Sequence, residues 1–118
     1  MAFGVEDLSS MVAARLTDEE RDHGVAYVVS GLVESGTKLE FPRTSIEVPW
    51  DAVVAFVDPE PLANWAHAAR YLLVHPGSGE VRSIEARFPP FGAQPSLEWL
   101  VAYQAPGVPD AALAIPKS

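Results

Sequence analysis

The sequence predicts an α+β fold, with an N-terminal helix packed on a strongly curled antiparallel sheet of about five strands. Three observations lead there. Residues 5–16 carry an apolar stripe at helical spacing. At residue 25 the chain changes to short β-branched runs. A turn bearing proline or glycine follows each of those runs. The curl admits a barrel-like closure, because strand, one helical turn, strand is a common corner in small barrels. That likeness is architectural and names no function.

In the helical part, Val5, Leu8, Met11, Val12 and Leu16 form one apolar face suited to packing on a sheet. Thr17-Asp-Glu-Glu20 then has the form of a capping box, which opens a second short helix ended by Gly24. Glu19 and His23 on it are spaced as a solvated i,i+4 pair.

VAYVVSGLV from Val25 is apolar on both faces and reads as a buried central strand. Glu34-Ser-Gly-Thr37 turns the chain into LEFPRTSIEV. Pro42 lacks an N–H, so this second strand is expected at an edge or with a bulge. Pro49-Trp-Asp51 makes a brief turn before DAVVAFVD, a further strand. Asp58-Pro-Glu-Pro61 breaks the sheet, and LANWAHA suits one helical turn with Pro61 at its start. ARYLLVH and EVRSIEARF form a hairpin about Pro76-Gly-Ser-Gly79. Ser96–Tyr103 fits two periods. Leu97, Leu100 and Val101 suit a helix, whereas Leu97, Trp99, Val101 and Tyr103 suit a strand; the helix is the expectation carried forward. The tail from Ala105 is expected to be extended.

With no internal repeat and no linker-like stretch, the 118 residues read as a single domain. Residues 1–24 are its helical segment, 25–88 its sheet, and 89–118 a C-terminal helix or strand with an extended tail. The chain has no cysteine, which excludes disulfides, thiolate metal sites and Cys nucleophiles. The N-terminus lacks the pattern of a signal peptide, and no apolar run approaches the roughly 20 residues of a membrane span. The expectation is a cytoplasmic protein without a membrane role.

The charge is asymmetric. Residues 1–60 carry twelve acids and four bases, residues 61–118 four of each, so the net −8 lies in the first half. Nucleic-acid binding needs clustered cations and is disfavoured. An acidic surface of this kind can steer a basic protein partner, or serve only to keep the chain soluble.

Catalytic signatures fail one by one. Gly31–Lys38 has Thr before Lys and continues as a strand, so it is a hairpin turn and not a phosphate loop. Ser78, between Gly77 and Gly79, joins two strands and is no nucleophile elbow. Arg87-Phe-Pro-Pro-Phe91 reads as a strand stopped by two prolines, although such a turn can also enter an aromatic groove. Trp50, Trp65, Tyr71 and Trp99 suit core packing, with an aromatic ligand cavity as the sharper reading.

The stretch Asp58–Glu80 gathers the unusual residues. Asp58, Glu60 and His67 are ligand types for zinc or iron and could meet across the loop. His75 is a further ligand type, but if 67–75 is one strand its eight residues span about 26 Å, so at most one of the two histidines joins the acids. Proton transfer could use Glu60 or Asp58 with His67; the plainer reading has the acids capping a turn and His67 bonded locally.

The expectation that follows is a small non-catalytic binding or regulatory protein, docking a basic protein partner through its acidic half, with no cofactor. The alternative is a small enzyme or ligand-binding domain around Asp58, Glu60, Trp65 and His67. A third possibility is a homo-oligomer joined through an exposed edge strand. The tail, with Leu113 and Ile115, could cover this protein's own sheet or a neighbour's.

Overall fold

The apolar stripe forms helix α1 (Val5–Ala13) in the computed structural model, which describes residues 3–63 and 67–117. The Gly4 N–H donates to the Asp7 carboxylate at 3.1 Å, so an acid in the first turn satisfies a donor that the helix leaves open. Helix α2 (Asp18–His23) begins with the expected capping box. The Glu20 N–H donates to the Thr17 hydroxyl at 3.2 Å, and the Thr17 N–H donates to the Glu20 carboxylate at 2.8 Å. Gly24 ends α2 as expected, in extended geometry. Close approach explains the glycine: a Cβ here would lie 2.8 Å from the carbonyl oxygens of Asp58 and Glu20.

Among the described residues seven strands follow: β1 (Val25–Val29), β2 (Lys38–Phe41), β3 (Thr44–Glu47), β4 (Val53–Asp58), β5 (Ala69–Val74), β6 (Val81–Ala86) and β7 (Trp99–Gln104). Five of them form one antiparallel sheet in the order β6-β5-β4-β1-β7, and β2 and β3 make a separate hairpin. The fold is α+β and mostly sheet. Its outer strands β6 and β7 do not pair with each other, so the sheet is open and not a closed barrel.

Strands β1 and β4 are buried along their whole length, which explains why their sequences do not alternate. Ala26, Val28, Val53, Ala55, Val57, Leu72 and Val74 face the helix, packing on Leu8, Val12 and Leu16. Val25, Tyr27, Val54, Phe56, Tyr71 and Leu73 face the other way. That side is covered by Leu39, Phe41, Ile46 and Val48 of the hairpin, by Phe91, and by Leu113 and Ile115 of the tail. The layers are therefore helix, sheet, and hairpin with tail.

Two expectations are corrected. LEFPRTSIEV is not one strand: the chain reverses at Pro42-Arg43, where Arg43 takes φ 59°, and β2 pairs back on β3. Proline suits the first corner of such a turn, but the left-handed region disfavours arginine by about 1–2 kcal/mol. Ser96–Tyr103 is not a helix either. Residues 99–104 form β7, which extends the sheet past residue 88. Trp99 and Val101 face the hairpin layer while Leu100 and Ala102 face α1. A strand apolar on both faces lacks the apolar–polar alternation that would have identified it.

The tail packs on its own chain. It makes a 3-10 turn at Asp110–Ala112, and the Ala114 N–H donates to the Tyr27 hydroxyl at 3.0 Å. Of LANWAHA, where a helical turn was expected, residues 64–66 lie outside the described residues, and Leu62, Ala63, His67 and Ala68 on either side of them are not helical.

Candidate functional site

Strand β4 delivers Asp58, 2% exposed, to the end of the sheet where the proline loop begins. One carboxylate oxygen, Oδ1, takes two partners: the Glu60 N–H at 2.9 Å and His67 Nε2 at 2.7 Å. The first bond is an Asx turn, the capping role that the sequence offered as the plain reading. The second ties the far end of the loop to the strand that it left. Glu60 itself is exposed. Among the described residues no three His, Asp or Glu side chains are grouped to hold a metal ion. Trp65 lies outside the described residues.

His75 stands at the opposite end of β5, as the spacing argument required. Its Nδ1 accepts from the Gly77 and Ser78 N–H groups, both at 3.0 Å, which shapes the hairpin turn. Its ring packs edge-on against Trp50. Trp50, Tyr71 and Trp99 all belong to the hairpin-side core.

Sequence reading missed Arg70. This arginine projects from β5 onto the helix side and grips Glu20 with two 2.7 Å bonds, Nε to Oε2 and Nη2 to Oε1. Its remaining donors reach the Ser83 hydroxyl at 3.2 Å and the Arg15 carbonyl at 3.3 Å. Burial pushes the Glu20 carboxyl up, but the Arg70 and Thr17 hydrogen bonds and the Arg70 charge outweigh it and hold Glu20 below its usual value. A signal was available: an arginine inside the apolar run ARYLLV must find a carboxylate when the strand is buried.

Two clefts open on either side of Pro59, which lines both. The smaller, about 450 Å³, has Asp22, His23 and Glu60 beside Leu62, Ala63 and Val108. Leu62 is 74% exposed, the most exposed large apolar side chain among the described residues. The larger, about 600 Å³, lies under the hairpin tip and is lined by Arg43, Arg70, Arg87 and Phe88, with Glu20 and Glu85. Among the described residues, neither Asp58 nor His67 lines either cleft.

No family model, curated protein or solved structure matches this chain. Among the described residues no helix is long and apolar enough to cross a membrane.

Proposed function

We propose that this protein is a non-catalytic binding module that docks a basic protein partner through its acidic first half. The observation carrying this reading is the smaller cleft, where Asp22 and Glu60 stand beside the exposed Leu62. Docking needs an apolar anchor to supply affinity and charges to select the partner, and this cleft has both. Glu6, Asp7, Asp18 and Glu19 are exposed on the same helical segment and extend the negative field. The segment's two arginines reach toward backbone carbonyls, Arg15 to Gly79 at 3.5 Å and Arg21 to Ala13 at 3.2 Å. Those positions do not cancel the acids one for one.

The test is capture from host lysate at low and high salt, with wild type beside an Asp22→Lys/Glu60→Lys double variant. A stoichiometric basic protein held by wild type at low salt, released at high salt and absent from the variant is the expected result. A partner held equally by the variant, or no partner at either salt, removes the reading.

The alternative, a ligand site or small enzyme around Asp58, Glu60, Trp65 and His67, has the Asp58–His67 bond in its favour, since a carboxylate commonly orients a working imidazole. Against it, the bonded oxygen is already engaged by the Glu60 N–H. A His67→Gln variant that keeps its melting point but loses a measurable turnover would revive it.

A further inference from the structure

The geometry points to a second site, independent of the acidic surface: the cleft under the β2–β3 turn binds a small organic oxyanion, a carboxylate or phosphate monoester with an apolar body. The chain has 8 Lys and Arg against 16 Asp and Glu, yet three arginines and two glutamates line this cleft. The local formal charge is 3 − 2, or +1, where the chain as a whole carries −8. One of the two acids is already committed, because both Glu20 oxygens are gripped by Arg70. The other, Glu85, sits directly opposite Arg70 in the β5–β6 ladder. Arg43 and Arg87 also line the cleft, both exposed to solvent, and guanidinium forks match the oxygens of a carboxylate or phosphate.

Arg43 is the residue that makes this more than a charge count. It occupies the one left-handed backbone position taken by a non-glycine among the described residues, where Gly or Asn would sit without strain. From there its guanidinium carbon lies 5.5 Å from the centre of the Phe88 ring. The strained turn thus holds a cation over an aromatic face at the mouth of a cleft of about 600 Å³, a volume within the usual range for small-molecule sites. Phe88, Pro59 and Ala86 supply apolar wall for the body of the ligand, while Thr44 and Ser83 bring hydroxyls.

The test follows backbone amide shifts by NMR during titration with phenyl phosphate, benzoate, inorganic phosphate and benzyl alcohol. Saturable shifts at Arg43, Ser83 and Phe88 with phenyl phosphate or benzoate, at a Kd in the millimolar range or tighter, are expected; whichever binds more tightly assigns the oxyanion. Arg43→Asn fits the turn backbone, so it should keep the unfolding midpoint while weakening binding by about tenfold. Arg87→Gln should weaken it similarly. Benzyl alcohol shifting the same amides as strongly, no saturation up to about 20 mM of either oxyanion, or binding that both variants leave unchanged would overturn the site.

Discussion

Glu20 and Asp58 are the two buried acids among the described residues, and each is held by a base from the second half of the chain. Glu20 meets a bidentate guanidinium that stays charged at every accessible pH. Asp58 meets an imidazole, whose charge depends on pH, and a backbone N–H. The Arg70–Glu20 pair joins α2 to β5 across the layers, while the Asp58–His67 pair only closes a loop on its own strand. A two-bond ion pair therefore fixes the tertiary junction, and a single side-chain bond fixes a local one. Both acids also leave the exposed surface, so the acidic face is less acidic than the sequence count of the first half implies.

That contrast is easiest to break at Glu20. Glu20→Ala leaves the Arg70 guanidinium without its carboxylate and removes half of the capping box, and we expect a loss of about 3 kcal/mol in urea unfolding at pH 7. Asp58→Ala should lose less, about 2 kcal/mol in the same assay, because His67 keeps some access to water. Equal losses would erase the distinction.

Acid should sharpen it. Glu20 ionises below its usual 4.5, so its contribution is complete at neutral pH and is lost as the pH falls from about 4.5 through the folded-state value. Wild type should therefore lose more stability between pH 5 and 3 than Glu20→Gln, which has no proton to take up. Parallel curves for the two proteins would show that Arg70 does not hold the carboxylate in solution.

Two tyrosines extend the comparison to neutral groups. The Tyr27 hydroxyl accepts the Ala114 N–H, so Tyr27→Phe should cost about 1 kcal/mol and loosen the tail. The Tyr71 hydroxyl is buried without a hydrogen-bond partner among the described residues, and burial raises its pKa. Tyr71→Phe should be neutral or stabilising by up to about 1 kcal/mol, read as a thermal shift. The smallest effect belongs to Asp22→Lys/Glu60→Lys, whose exposed positions should change stability by under about 0.5 kcal/mol.

Much of the fold was legible wherever one local rule sufficed. The α1 stripe, the Thr17–Glu20 box, the buried β1 and the β5–β6 hairpin all follow from spacing or from one turn. Reading failed where two rules competed. β7 is apolar on both faces, so its residues satisfied helical and strand periods equally, and only pairing with β1 decides between them. Pro42-Arg43 concealed a reversal because arginine is an uncommon left-handed residue. At the candidate site, the Asx turn of Asp58 and its reach to His67 were foreseeable from nearby residues. For Arg70 only the need for a carboxylate was legible; that Glu20 meets it was not, since the two are 50 positions apart and only the folded sheet brings them together.

The position of β1 between β4 and β7 has a kinetic consequence. β4, β5 and β6 are joined in sequence order and can zip as a meander through short-range closures. The β1–β7 ladder instead closes a loop running from Val25 to Gln104, and it depends on the last strand in the chain. Until that closure, VAYVV presents an uncharged, β-branched edge with open hydrogen-bonding groups. We expect the principal aggregation risk during refolding to reside there, falling away when β7 docks.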